Sequence, residues 1–251
     1  MSAKVALEWL ASFHAAWWEE DTPEGLWEDG CYWHLATRED ELSQIGSPWL
    51  ELKRAASAVD SALRGGDDGS SNGGSSSGGG GGGGGGAGRF RTLCHGDAKS
   101  ANFLFSKDGM AAAAYDFQLF ATQPHHHAAC LACYYSLHQY VGGGYGAKDV
   151  AYLLISSADE ALLTESEGQL LAHYHSALTG RLAALGKGAA AAAYTHDIFL
   201  VHYELALVDF CRFMAGWGWW GATRYSARRC KDVLSRLPQV LKAAAAVAAA
   251  R

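Results

Sequence analysis

The chain has 251 residues, of which 49% are hydrophobic and 12% aromatic, and this composition suffices for one domain with a sizeable core. A formal net charge of −6 provides no positive field for polyanions, so we expect no nucleic-acid partner. The most apolar stretch, residues 198–220, contains Glu204, Asp209 and Arg212, which are costly inside a bilayer, so we expect no membrane association. Six cysteines without a secretory signal predict reduced thiols and a cytoplasmic protein.

Two helices are predicted before residue 65. Apolar residues recur every three or four positions from residue 5 to residue 17, and a similar pattern covers residues 47–63 with Pro48 in its first turn. Residues 65–88 are almost entirely Gly, Ser, Asp and Asn, so they cannot bury enough apolar area to offset the entropy lost on ordering. We therefore expect a disordered insertion within a single domain that covers residues 1–251.

A β-hairpin is predicted soon after this tract. Residues 90–94 are expected to form a strand, residues 95–102 a loop and residues 103–105 a second strand. A turn and a weaker strand pattern at residues 110–115 complete the hairpin. This arrangement leaves Asp116 at the end of a strand.

The rest of the chain is predicted to be largely helical. Helices are expected over residues 149–155, 195–214 and 226–241. A longer helix is expected to begin at Ser157-x-x-Glu160, which has the pattern of a capping box. Because helices outnumber strands, the predicted fold class is α+β and mainly helical.

Residue types suited to phosphoryl transfer are concentrated between residues 95 and 116. The segment contains His95-Gly96-Asp97, an asparagine at Asn102, and then Asp116 followed by Phe and Gln. Phosphoryl transfer requires a carboxylate beside the attacking hydroxyl, and oxygen ligands that hold Mg²⁺ against the phosphates. Because the conjunction is much rarer than any one of its parts, it favours a phosphotransferase site over an ordinary polar loop.

This pattern resembles the catalytic loop and metal-binding turn of the aminoglycoside phosphotransferase and choline kinase superfamily. Its Asp-Phe-Gln turn is similar to that of the CHK-kinase-like, or ecdysteroid-kinase-like, branch. The resemblance implies the C-terminal lobe of a protein-kinase-like fold with a small catalytic β-hairpin. It also implies Mg²⁺ and ATP as cofactors, and transfer of the γ-phosphate to a hydroxyl of a small-molecule alcohol.

The same resemblance implies roles for individual residues. Asp97 matches the base or orienting carboxylate, and His95 is expected to support the loop through a ring hydrogen bond. Asn102 and Asp116 match the magnesium ligands. Asp149 matches an acidic residue that opens the next helix, where it is expected to cap the helix, and whether it also anchors the catalytic loop stays open.

No N-terminal ATP-binding lobe is recognised before the catalytic loop. That part of the chain is predicted to be helical apart from the glycine tract, and Lys4 and Lys53 both fall on helical patterns. We therefore expect these 251 residues alone to lack ATP-dependent phosphorylation activity. The alternative function is that of a non-catalytic, truncated or pseudokinase-like module.

Residues 119–139 interrupt an otherwise family-like segment and contain no Asp, Glu, Lys or Arg. Joining Gln118 to Tyr140 restores a continuous family-like pattern, so we predict that 119–139 is inserted sequence. A second alternative function, zinc binding, rests on the His and Cys residues of this segment. They are His125, His126, His127, Cys130, Cys133 and His138.

Overall fold

The computed structural model describes residues 3–65, 88–117 and 141–250. Within these ranges the protein is α+β and mainly helical, as predicted. The helices are α1 (Ala3–Ala16), α2 (Glu39–Gln44), α3 (Leu50–Leu63), α4 (Ala147–Ser157), α5 (Glu160–Ala184), α6 (Gly188–Ala193), α7 (His196–Trp217), α8 (Thr223–Ser235) and α9 (Leu237–Ala249). The strands are β1 (Thr92–Cys94), β2 (Phe103–Phe105), β3 (Ala112–Ala114) and β4 (Gly142–Gly144).

Helix α7 lies at the centre of the helical core. It packs against α2, α3, α4, α8 and α9, while α1 packs along α5. Most residues of α7 from Phe199 to Met214 are buried on all sides of the helix, as expected for an apolar helix surrounded by protein. The core therefore forms around α7, and α1 and α4 approach the β-strands from this core.

Four short strands form two antiparallel pairs. Strands β2 and β3 form the predicted hairpin, in which Phe103 pairs with Ala114. Strand β1 pairs with β4, and Cys94 lies opposite Gly142. The sequence did not predict β4, because three consecutive glycines have low strand propensity. This second pair holds the start of the 95–102 loop beside the start of α4.

Gly142 allows two segments of backbone to approach closely. It forms an isolated parallel bridge with Trp27, whose N–H donates to the Val141 carbonyl at 3.2 Å and whose carbonyl accepts from the Gly143 N–H at 3.0 Å. A Cβ atom at Gly142 would lie 2.3 Å from the Trp27 carbonyl oxygen. Neither backbone can move without disturbing the β1–β4 pair, so only glycine fits this position.

We predict that Gly142→Ala destabilises the protein by about 1–3 kcal/mol through this steric overlap. The matched control is Gly168→Ala on α5, where an added Cβ meets no atom within 4 Å. That control should stabilise the protein by about 0.5–1 kcal/mol, because alanine favours a helix interior. Urea unfolding followed by circular dichroism measures both changes. Equal effects at the two positions would contradict the predicted close approach.

Three helix boundaries differ from the prediction. The helix expected over residues 47–63 begins at Leu50, so Pro48 precedes α3 and does not lie in its first turn. The expected helix over residues 226–241 is two helices separated at Arg236, because Pro238 lacks an N–H and its ring cannot follow a continuous helical turn. The expected capping box is also wrong, since the residue before α5 is Asp159. The Ser157 hydroxyl instead accepts a hydrogen bond from the Ser100 N–H at 2.8 Å. Ser157 thus supports the 95–102 loop.

Some predictions lie outside the described residues. They are the inserted segment 119–139 with its zinc-type cluster, and all of the 65–88 tract except its two end residues. In the part that is described, Cys31, Cys94, Cys211 and Cys230 are free and buried. None of the helices in this part is both long and apolar enough to cross a bilayer.

Candidate functional site

The loop over residues 95–102 connects β1 to β2 and brings the motif residues together. Gly96 has a φ of +82°, a left-handed conformation that glycine adopts without strain. The loop ends in a short 3₁₀ turn over Ser100–Asn102, where the Asn102 N–H donates to the Lys99 carbonyl at 2.9 Å. The glycine and the turn fold the loop back, so that Asp97 and Asn102 face each other.

Asp149 anchors this loop to α4. Its Oδ2 accepts a hydrogen bond from the His95 N–H at 2.6 Å, and its Oδ1 accepts one from the Gly96 N–H at 2.9 Å. The N-cap of α4 is Gly146. Asp149 therefore anchors the loop and does not cap the helix.

A buried histidine completes the surroundings of Asp149. The His14 Nε2 lies 3.1 Å from the Asp149 Oδ2, and the His14 Nδ1 lies 2.7 Å from the Tyr174 hydroxyl. Burial alone would raise the pKa of Asp149, but the His14 hydrogen bond, the His14 and His95 rings and the Gly96 N–H outweigh it and hold this pKa below its ordinary value. The Asp149 carboxylate therefore stays ionised in the interior and links α1, α4 and the loop.

Asp97 is buried, and both of its carboxylate oxygens accept hydrogen bonds. The Tyr152 hydroxyl donates to Oδ1 at 2.8 Å. The Asn102 Nδ2 donates to Oδ2 at 2.8 Å, and the Lys99 Nζ lies 2.9 Å from the same oxygen. These donors hold the carboxylate in one orientation.

The hydroxyl of Tyr152 also contacts a second tyrosine. The Tyr32 hydroxyl lies 3.2 Å from it. Since the Tyr152 proton is directed to Asp97, Tyr32 is the donor in this contact. Burial raises the pKa of Tyr32 to about 12, with Asp97 adding to the increase and Tyr152 opposing it. Burial and the nearby Tyr32 and Asp97 also raise the pKa of Tyr152, so both phenols are neutral donors near neutral pH.

His95 connects the loop to the end of the hairpin. Its Nδ1 accepts from the Asp97 N–H at 3.3 Å, so in the neutral ring Nε2 carries the proton and donates to the Tyr115 carbonyl at 3.1 Å. The ring also packs against Phe117, with a centroid separation of 4.5 Å. The expected ring hydrogen bond is therefore present, and it holds the residues on both sides of Asp116.

Asp116 and Asn102 are brought together by the backbone. The Tyr115 N–H donates to the Asn102 carbonyl at 3.0 Å, directly before Asp116. Asp116 is exposed and has a φ of +62°, a left-handed conformation that is uncommon for residues other than glycine. Uncommon backbone conformations cluster at functional sites, where the surrounding structure holds them in place.

These two residues fit magnesium with additional oxygen ligands. Both hydrogen bonds of the Asn102 Nδ2 go to Asp97, so the Asn102 Oδ1 points away from that carboxylate. One amide oxygen and one carboxylate suit Mg²⁺, which usually takes one or two protein ligands together with phosphate and water oxygens. In the described ranges no group of three or more His, Cys, Asp or Glu side chains is arranged to hold a metal ion.

The structure places all four predicted site residues, Asp97, His95, Asn102 and Asp116, around one loop and one hairpin end. The sequence prediction missed Tyr152, Lys99 and Tyr32. The sequence did contain an indication of Tyr152, because Tyr152 follows Asp149 by three residues on a predicted helix and so lies on the same face. Tyr32 lies in an irregular segment, and no pattern in the sequence indicated that it belongs to the site.

Comparisons of the chain with models of protein families, with curated proteins and with solved structures found no match. The assignment of a function therefore depends on the residues of the site.

Proposed function

We propose that the chain is the catalytic lobe of a small-molecule phosphotransferase of the aminoglycoside phosphotransferase and choline kinase type. It would transfer the γ-phosphate of ATP to a hydroxyl of a small alcohol. The observation that carries the proposal is the buried Asp97, held by Asn102 in a loop whose backbone is anchored by Asp149. A solvated polar loop has no need for a buried carboxylate to fix two consecutive backbone N–H groups.

In the proposed reaction each residue has a distinct task. Asp97 orients the acceptor hydroxyl and accepts its proton as the phosphoryl group is transferred. Asn102 and Asp116 would hold Mg²⁺, which when bound would supply positive charge to neutralise the phosphates. His95 connects the loop to the hairpin end through its contacts with Tyr115 and Phe117, and so holds the residues that flank Asp116 beside the loop of Asp97.

Metal and nucleotide binding tests this proposal directly. Mn²⁺ replaces Mg²⁺ as a paramagnetic probe, and water-proton relaxation reports binding of the Mn²⁺–ATP complex to the full chain. We expect binding by the wild-type protein and a loss of affinity of about tenfold or more in Asp116→Asn, because a metal ligand is removed. The control Asp108→Asn alters an exposed carboxylate in the turn of the same hairpin and should bind like the wild type.

Turnover is measured in the same samples with labelled ATP and a panel of small alcohols. Lys4 lies on α1 and Lys53 on α3, so neither matches the sheet lysine that pairs with the ATP phosphates in this family. We therefore expect no transfer of label by these 251 residues alone. Transfer that disappears in Asp97→Ala would contradict that expectation and would support the phosphotransferase activity. Failure of the wild type to bind Mn²⁺–ATP would overturn the proposal and favour the non-catalytic module.

A further inference from the structure

We propose that Tyr152, supported by Tyr32, is a positioning residue that fixes the Asp97 carboxylate and, through it, the metal-binding amide of Asn102. This inference rests on the proposed function and adds two residues to the site. Both tyrosines lie outside the motif, Tyr32 before the loop and Tyr152 after it. Neither is a metal ligand in the arrangement described above.

The three donors to Asp97 differ in how firmly they are held. The Lys99 side chain is 36% exposed and ends a flexible chain, so it can leave Asp97 easily. The phenol of Tyr152 is buried and packs edge-on against Phe210, with a centroid separation of 4.9 Å. Tyr152 is therefore the rigid donor on Oδ1, and it opposes rotation of the carboxylate.

Rotation of this carboxylate would disturb the metal-binding side chain. Carboxylate torsions have broad minima, so hydrogen bonds must select one orientation. The Asp97 Oδ2 and the Asp97 carbonyl both accept from the Asn102 Nδ2, and together they direct the Asn102 Oδ1 away from Asp97. A carboxylate that turned would lose the first of these bonds. Fixing Asp97 thus fixes the oxygen that Asn102 offers to the metal.

Tyr32 is itself held from three directions. Its ring packs nearly perpendicular to that of Phe213 at a centroid separation of 5.4 Å, and the Arg38 guanidinium lies over the ring at 5.4 Å. The Arg38 Nε also donates to the Tyr32 carbonyl at 2.9 Å. The donor that supports Tyr152 is therefore fixed by α7 and by the segment before α2, both outside the catalytic motif.

The experiment measures the affinity of the full chain for the Mn²⁺–ATP complex, again by water-proton relaxation. Tyr152→Phe removes only the hydroxyl, and its effect reaches the ligand Asn102 through Asp97, so we expect a loss of affinity of about tenfold, the lower end of the range for groups that orient metal ligands. Tyr32→Phe should cause a smaller loss. The matched control is Tyr203→Phe, because the buried Tyr203 hydroxyl also donates to a carboxylate, that of Glu167 at 3.0 Å, away from the site. This control should bind like the wild type.

The outcomes separate this inference from the proposed function. Wild-type affinity in a folded Tyr152→Phe variant would overturn the role of Tyr152 and leave the proposed function intact. An equal loss in Tyr203→Phe would also overturn it, because the effect would then be general destabilisation. If Tyr152→Phe does not fold, the milder Tyr32→Phe carries the test, and unchanged affinity there overturns the inference. Absence of Mn²⁺–ATP binding in the wild type would overturn both proposals.

Discussion

Asp149→Ala should destabilise the protein by about 3–5 kcal/mol, the range seen when one partner of a buried charged contact is removed. The variant leaves the His95 N–H, the Gly96 N–H and the His14 ring without their acceptor. Each buried donor that loses its partner costs about 1–3 kcal/mol, so even partial relaxation leaves a large effect. Urea unfolding followed by near-ultraviolet circular dichroism gives the change in free energy.

The control for this variant is Asp159→Ala, ten residues further along the chain. Asp159 is exposed and its side chain makes no capping hydrogen bond to α5, so the change should stay within about 0.5 kcal/mol. A loss of less than about 1 kcal/mol in Asp149→Ala would show that water replaces the carboxylate and that the loop does not depend on this anchor.

The stability difference between the wild type and Asp149→Ala should depend on pH. The pKa of Asp149 in the folded protein lies below its ordinary value, which is about 3.9 in an unfolded chain. A lowered pKa contributes stability that is fully present above the unfolded value and is lost as the pH falls through the folded one. The wild-type advantage over Asp149→Ala should therefore be constant near neutral pH and shrink below about pH 4. An advantage that persists unchanged into strong acid would contradict the ionised anchor.

Local patterns predicted the parts of the fold that depend on neighbouring residues. The β2–β3 hairpin and helices α1, α3 and α7 follow from apolar spacing and turn residues within short windows. The β1–β4 pair depends on contact between residues about fifty positions apart, and glycine has no side chain to indicate a strand. The break at Arg236 was readable from Pro238, but the apolar spacing on both sides of it favoured one continuous helix.

The candidate site also contains residues that local patterns predicted and residues whose contacts depend on the fold. Asp97, Asn102 and Asp116 were predicted because their types and spacing form a motif that resembles a family. The role of Asp149 stayed open in the sequence, since a helix cap and a loop anchor both place an acidic residue in the first turn. Only the three-dimensional arrangement shows which backbone N–H groups reach its oxygens. Tyr32 reaches Asp97 through Tyr152, and no local pattern encodes such a contact.

The buried ion pair of α7 provides the second large expected effect. The Arg212 Nε donates to the Asp209 Oδ1 at 2.8 Å, and the Arg212 Nη2 donates to the carbonyl of Trp33, the residue after Tyr32. Both charged side chains are only 1% exposed. Arg212 therefore connects the central helix to the segment that carries Tyr32.

We predict that Asp209→Ala destabilises the protein by about 3–5 kcal/mol, because it leaves the Arg212 guanidinium buried without its counter-charge. The double variant Asp209→Leu with Arg212→Met removes both charges, and replacing a buried ion pair by apolar residues is often neutral or stabilising. Here the Trp33 carbonyl also loses its donor, which costs about 1–3 kcal/mol. The double variant should thus be more stable than Asp209→Ala but less stable than the wild type, as measured by urea unfolding. A double variant as unstable as the single one would mean that the Trp33 contact, and not the ion pair, determines the stability of this region.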